Sequence, residues 1–486
     1  METMLLLGLL GPWALSAGLV WLLRRSSGLS GWVTACAGLI SLGSAVGLWH
    51  NALTDGAAIA GPDALFRVDG LAALISCCIA VVCGLAMLPG AGADASHMGT
   101  DGATRFRLFG SLFALAMLIA VVINNVALMW VAIEATTIVS AVLIPLHRTK
   151  ASVEASWKYI LIGSVGISLA FAGTVLAYYD FVALMGHRED ALNWTLLMQV
   201  APSLHADVLR LAFVFLLVGY GTKAGLAPMH TWLPDAHSEA PAPLSAMMSG
   251  VLLAVAQYAI LRWKAVVDAA GGPAFTNQVL MALALISIAI GALSLLLQQN
   301  YKRLLAYSSV EHSGLICLGL TFGPAGVFAS LLHLLNHSLA KSASFLMAGR
   351  ILGRYHSTDV ERVSGLMRTM PGTGTLFAAG LLALMGLPPF GLFVSEFLLF
   401  RAGFTSGHMV ATSVALVLAG IGFVGLANHL THMLYGAAPA DVPTGERDWW
   451  VLAPVAVSVF VLVALGLVLP GAVDRLLGGI VEAMKV

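Results

Sequence analysis

One property rules out most folds before any motif is read: nearly every part of this chain belongs to an apolar run of 18 residues or more. That is the length of a bilayer-crossing helix. Fourteen such runs succeed one another, at about 3–23, 32–50, 69–89, 106–123, 126–146, 154–179, 208–231, 241–263, 279–297, 304–322, 326–349, 373–400, 409–432 and 451–470. Hydrocarbon offers no partner to a bare peptide group, so runs of this kind must be helical. The expected fold is an all-α polytopic membrane protein of about 14 transmembrane helices, a single membrane domain over 1–486. Composition agrees, with 59 % hydrophobic and only 10 % charged residues, against about 25 % charged in soluble domains. A cleaved leader cannot explain a pattern that continues to the last span.

Two spans are interrupted by Gly and Pro. The seventh carries "GLAPMH", with Gly225 and Pro228, and the twelfth "MGLPPFGLF", with Pro388 and Pro389. They are five spans apart, so they cross in opposite directions. That is the pattern of an inverted repeat, spans 4–8 (residues 106–263) and 9–13 (residues 279–432). It leaves 1–105 as an N-terminal three-helix segment and 451–486 as a C-terminal helix and tail. A lone proline kink serves packing as readily as function, but matched breaks are the best sequence pointer to a transport site. The polar connection 180–207 has room for a small surface helix. Trp49, Trp232, Trp263, Trp449 and Trp450 fall at span ends, where indole rings favour the interface. With the N-terminus outside, fourteen Lys and Arg fall in cytoplasmic connections and eight in outer ones. Arg25 and Arg447 count among the former; Arg67, Arg262, Lys264 and Lys485 among the latter. This bias places both termini outside.

Ionisable residues inside spans cost about 2.5–3.5 kcal/mol each at the helix centre. Glu134 lies in the fifth span, Lys223 in the seventh, His333, His337 and Lys341 in the eleventh, and Glu396 after the break in the twelfth. If isolated, the six would cost on the order of 15–20 kcal/mol, more than a typical folding stability. They must therefore pair, neutralise or meet water. His333, His337 and Lys341 recur at i, i+4 and i+8, nearly one helix face, about 6 Å apart along the axis. Such a stripe suits proton hopping through intervening waters. Glu134 beside Lys223 would hold the lysine charged, and moving or neutralising it would let the proton go.

Weaker candidates surround these. Glu311, next to His312 in the tenth span, reads equally as an interface group or as part of the path. Lys302 and Arg303 read first as a positive-inside anchor. His230, Asp235, His237 and Glu239, in "HTWLPDAHSEAPAP", read as a polar turn between spans seven and eight, a proton entrance or simply a solvated loop. A metal held by His333 and His337 needs a third ligand, so no metal site is expected. "GIGFVG", residues 420–425, lies in an apolar run and reads as small-residue helix packing, not dinucleotide binding. The five cysteines form no C-x-x-C pair, which argues against a disulfide framework or iron–sulfur site. Zero net charge gives no electrostatic case for nucleic acid.

The stretch "GTKAGLAPMHTWLPDAHSEAPAPLSAMMSGVLL" resembles the signature of the antiporter-like membrane subunits of respiratory complex I, Mrp sodium/proton antiporters and group 4 NiFe-hydrogenases. "WVAIEATTIVSA" and "LLAYSSVEHSGLI" are most similar to hydrogenase-4 component F. The resemblance implies that Glu134 and Lys223 are a paired fifth-helix glutamate and seventh-helix lysine. It implies that His333, His337 and Lys341 belong to a central hydrophilic axis ending at Glu396. One departure is Ala254, where some members carry an eighth-helix lysine; water, Gln257 or the histidine stripe would have to bridge it. The implied function is a proton-translocating subunit of a complex I-like redox assembly of membrane-bound hydrogenase or formate hydrogenlyase type, in a bacterial or archaeal inner membrane. It would have no redox site or cofactor of its own. The NiFe centre and iron–sulfur clusters would sit on partner subunits, in a peripheral redox arm beside further antiporter-like subunits, with phospholipid around. Competing expectations are a Na⁺/H⁺ antiporter subunit, the membrane partner of an inorganic-carbon uptake complex, and a non-pumping scaffold.

Overall fold

In a computed structural model of the chain, the apolar runs become helices. The structure describes residues 2–24, 27–54, 56–61, 64–88, 99–446 and 451–484. Arg25, Arg447, Trp449, Trp450 and Lys485 lie outside these residues. The helices are α1 (Glu2–Leu22), α2 (Ser27–Thr54), α3 (Gly70–Met87), α4 (Gly99–Val122), α5 (Val126–Leu143), α6 (Lys150–Met185), α7 (Trp194–Val200), α8 (Ala206–Lys223) and α9 (Trp232–Glu239). Then come α10 (Ala242–Gly271), α11 (Ala274–Leu297), α12 (Tyr301–Gly319), α13 (Gly323–Tyr355), α14 (Pro371–Leu384), α15 (Gly391–Thr405), α16 (Met409–Tyr435), α17 (Leu452–Leu467) and α18 (Gly471–Ala483). A short antiparallel ribbon pairs Ala58–Ala60 with Phe66–Val68.

Among the described residues, nine helices are long and apolar enough to cross a membrane, and ten if the bent pair α17–α18 counts as one span. The expected seventh, tenth, eleventh and twelfth spans fall on α8–α9, α12, α13 and α14–α15, which carry charges or are cut by a break. Helix starts follow local chemistry. Asn125 and Asn300 accept the first free amides of α5 and α12 through their side chains, and Thr149 forms a capping box with Ser152 at α6.

Burial sorts the helices. The apolar window of α10 is wholly enclosed by the rest of the chain, and α13 buries nearly every residue from Gly326 to Ile351. These two form the spine. By contrast α1, α6 and α16 turn Leu, Val, Trp and Phe side chains outward, the pattern of a face that meets lipid or another membrane subunit. Gly422 and Gly425 of "GIGFVG" lie in α16, facing Glu311 and the Leu295 backbone so closely that a methyl group would collide, as small-residue packing expects.

The two breaks share one backbone form. α8 ends before Gly225 (φ +72°) and α14 before Gly386 (φ +63°), values that suit glycine. Each break contains a cis peptide, Ala227–Pro228 and Pro388–Pro389. In each, the glycine amide donates three residues back and the next amide five back. These are Gly225 to Thr222 (3.2 Å) and Leu226 to Gly221 (2.9 Å), then Gly386 to Ala383 (3.0 Å) and Leu387 to Leu382 (3.2 Å).

Several sequence expectations are corrected. The segment after Pro228 is the helix α9, with Trp232, Leu233, Ala236 and His237 buried; its apolar side packs inward instead of forming a solvated turn. Trp232 and Trp263 are buried within the chain, not interfacial. α10 runs on to Gly271, so Arg262 and Lys264 are buried helix residues instead of loop charges. Lys302 is also buried, its ammonium donating to the Ala240 carbonyl at 2.7 Å, so it is no simple interface anchor. The expected surface helix in 180–207 is α7.

Candidate functional site

α5, α6 and α8 bring the first cluster together. Glu134 is half-buried on α5, and its carboxylate accepts from Ser164 (2.8 Å) on α6 and Thr137 (3.0 Å). A lateral groove of about 410 Å³ between α5 and α6 is lined by both of these hydroxyl residues. Lys223, at the last turn of α8, is fully buried. Its ammonium donates to the Tyr159 hydroxyl at 2.9 Å and lies 4.8 Å from the centre of that ring. The Tyr159 hydroxyl in turn meets Ser140 of α5 at 2.8 Å. Glu134 is within electrostatic reach of Lys223, but the lysine's direct contact is the phenol. The sequence reading missed Tyr159 and Ser140; a lone hydroxyl in an apolar run gives no signal of the helix it will face.

Freed carbonyls at each break are taken up by a ring N–H. At the first, the Trp232 indole donates to the Thr222 carbonyl at 2.9 Å, and the Ala227 amide donates to the Ser287 hydroxyl at 2.9 Å. At the second, His312 Nε2 lies 3.1 Å from the Leu384 carbonyl. This is how non-helical backbone persists at membrane depth.

That second contact fixes the ring chemistry, because a carbonyl only accepts. His312 Nε2 therefore carries its proton, which turns Nδ1 toward His333 Nε2 at 3.0 Å. His333 Nδ1 lies 2.9 Å from the Ser395 hydroxyl, which also has the Leu392 carbonyl at 2.9 Å. Ser395 has one proton to give, so two bonding patterns are open and a proton crossing the imidazoles switches between them. Glu396 Oε1 stands 3.9 Å from His312 Nδ1, its carboxylate packed against Gly386, where a methyl group would overlap it. The His337 ring lies 5.2 Å from that of His312, tilted by 49°, with Nε2 unpartnered.

Between the clusters lie the remaining candidates. Lys341 is buried and donates to the Leu305 carbonyl (2.7 Å) and to Ser308 of α12. It is within electrostatic reach of Glu311, and Glu311 of Glu396. His237 is buried against Phe345, with neither ring nitrogen hydrogen-bonded, within electrostatic reach of Lys341 and Lys302. His230 is buried near Tyr307. Asp235 pairs with Arg303 (2.9 Å) and Lys158 (3.2 Å), and Glu239, partly exposed, ends α9. At the Ala254 position α10 has a π-helical turn, Met248–Leu252, just before it. Ser249 there meets Ser309 of α12 at 2.7 Å, and Gln257 is buried with its amide nitrogen unpartnered.

Residues 123–422 match the family profile described as NADH:quinone oxidoreductase/Mrp antiporter, transmembrane. The hydrogenase-4 component F homolog of Methylacidiphilum infernorum (isolate V4) is 42 % identical over 312 residues, covering 64 % of this chain and 64 % of that protein. Hydrogenase-4 component B of Escherichia coli (strain K12) is 34 % identical over 419 residues, covering 82 % of this chain and 60 % of that one. The chain thus spans under two thirds of the length of either relative. A chain of the membrane-bound sulfane sulfur reductase, an archaeal respiratory membrane complex, superposes with a TM-score of 0.88 at 25 % identity. It covers 100 % of this chain and 99 % of that one.

Proposed function

We propose a function for this chain on the premise that it belongs to the transmembrane family shared by NADH:quinone oxidoreductases and Mrp antiporters: it translocates protons within a complex I-like, redox-driven membrane assembly of hydrogenase type. One observation carries this reading. Ionisable groups, buried except for the half-buried Glu134 and Glu396 at the two ends, run from Glu134 and Lys223, through His237 and Lys341, to Glu311, His312, His333 and Glu396, with a broken helix at each end. Charges this costly are retained in a membrane when a path needs them.

In this mechanism the Glu134 carboxylate favours a proton on Lys223, and neutralising or displacing that carboxylate favours its release. Tyr159 and Ser140 offer the first hydroxyl relay. Water admitted between α9, α10 and α12 carries the proton past Ala254, with Gln257 and the Ser249–Ser309 pair as polar partners. His337, His333 and His312 pass it to Glu396. Each proton moved against 100 mV requires about 2.3 kcal/mol, supplied by a redox arm bearing the NiFe centre and iron–sulfur clusters. Further antiporter-like subunits and phospholipid cover the apolar outer faces. The matching breaks support fourteen spans arranged as two inverted five-helix repeats, spans 4–8 and 9–13. The charge bias of the connections supports both termini on the outer side of a prokaryotic inner membrane.

The test is the assembled complex in proteoliposomes, comparing proton uptake per electron for the native chain and for Lys223→Ala. Native stoichiometry with the variant would remove the lysine from the path and leave the chain as scaffold.

A further inference from the structure

We infer that His312, His333 and Glu396 form a binding site for one divalent transition metal of the zinc type. Sequence spacing offers His333 only His337, one turn along α13. The fold offers a different set, since α12 supplies His312 and α15 supplies Glu396. One ligand atom from each of the three lies within 4.8 Å of the others.

The separations suit a single ion. Ligands at 2.0–2.1 Å on a tetrahedral centre stand about 3.3 Å apart. His312 Nδ1 and His333 Nε2 are 3.0 Å apart, and Glu396 Oε1 is 3.9 Å from His312 Nδ1. With the third pair, His333 and Glu396, within 4.8 Å, closure of the carboxylate by about 1.5 Å or less would seat the ion.

The second and independent observation is what holds the far side of each ring. A metal-ligating histidine characteristically donates its other N–H to a carbonyl, carboxylate or similar acceptor. His312 Nε2 donates to the Leu384 carbonyl freed by the break. His333 Nδ1 faces Ser395, whose own proton can go to the Leu392 carbonyl. An ion between Nδ1 and Nε2 therefore satisfies every group in this network at once. A neutral pair of rings must give up the Ser395–Leu392 bond, because His333 Nδ1 then needs the serine proton. Gly386 leaves the space in which the carboxylate lies. Glu396 keeps 15 % of its side chain exposed. His337 adds a third nitrogen nearby, buried and without a partner.

Ligand type selects the metal class. Two imidazole nitrogens and one carboxylate suit zinc, cobalt, nickel or copper, whereas sodium, magnesium and calcium take oxygen ligands. An ion here would bridge α12, α13 and α15 beside the second break and tie the three helices together.

The experiment titrates the full-length chain, purified in detergent, with Co²⁺ as a coloured probe and then displaces it with Zn²⁺. One equivalent should bind with the strong visible absorption of a four-coordinate site, and Zn²⁺ should bleach it. His312→Ala and Glu396→Gln should each weaken binding at least tenfold, while His187→Ala, in an exposed connection, leaves it unchanged. Glu396→Gln keeps the side-chain size, so it answers the question should His312→Ala fail to fold. Absence of a four-coordinate spectrum, or equal binding by the native chain and Glu396→Gln, overturns the site. The titration reads metal and not proton transfer, so its outcome is separate from that of the pumping test; a bound ion would occupy His312 Nδ1 and His333 Nε2, so the proposed pathway runs through the metal-free form.

Discussion

Lys223 places its ammonium 2.9 Å from the Tyr159 hydroxyl, and that hydroxyl lies 2.8 Å from Ser140. α5 and α6 are thus linked by two hydroxyl contacts, Ser140–Tyr159, which carries Lys223, and Ser164–Glu134. Tyr159→Phe removes one link while keeping the ring that packs on Lys223 and Trp232. A hydrogen bond to a charged group contributes about 1.5–3 kcal/mol. If it is made in only one protonation state, its loss should slow proton translocation roughly ten- to hundredfold with the complex still assembled. Proton uptake by proteoliposomes, normalised to the amount of complex, checks this; an unaltered rate would take Tyr159 out of the path.

At the first break the Trp232 indole satisfies the Thr222 carbonyl. Trp232→Phe removes the indole donor and leaves that carbonyl only the 3.2 Å contact from the Gly225 amide, a loss of about 0.5–1.5 kcal/mol. The expected result is a lower unfolding temperature for the detergent-purified chain, measured by intrinsic fluorescence. Combined with His312→Ala at the other break, the two losses should add, because distant sites without shared partners are independent.

Asp69 caps α3 and binds Arg262 through two contacts of 2.7 and 2.6 Å, with Arg67 at 3.2 Å. Burial alone would raise its pKa, but Arg262 and then Arg67 outweigh burial and hold the carboxyl well below its ordinary range. A depressed carboxyl contributes stability above its unfolded value, about 3.9, and that contribution is lost as pH falls below it. Asp69→Asn leaves buried Arg262 without its counter-charge and should cost about 3–5 kcal/mol. Thermal unfolding followed from pH 7 to 3 should show the native chain losing stability at the acid end, with the variant already destabilised at pH 7 and flatter below 4.

These contacts mark what the sequence could and could not disclose. Helix positions were readable because hydrocarbon demands long apolar runs. The breaks were readable because Gly225, Pro228, Pro388 and Pro389 cannot sit in a regular helix. The candidate charges were readable because burying them is costly. Their partners were not. Tyr159 and Lys223 are 64 residues apart, and Asp69 and Arg262 are 193 apart. Arg262 read as an outer-loop charge, Trp232 as an interfacial anchor, and the stretch holding buried His237 as a polar turn, either proton entrance or solvated loop. Each was misplaced because local hydropathy cannot say which helix packs opposite.

Gly422 offers a last test, at a position sequence assigned to packing alone. A methyl group there would stand 2.4 Å from one carboxylate oxygen of Glu311 and 2.7 Å from the other. Glu311 is buried and lies within electrostatic reach of both Lys341 and Glu396. Gly422→Ala must therefore move the carboxylate while leaving α16 helical, since alanine favours the helix by about 1 kcal/mol over glycine. If Glu311 links Lys341 to Glu396, translocation falls while thermal stability changes by less than about 1–3 kcal/mol, the usual cost of overpacking. If Glu311 only packs, stability falls and the rate per assembled complex stays constant. Measuring both on one preparation separates the two roles, and Gly422→Leu should deepen whichever effect Gly422→Ala begins.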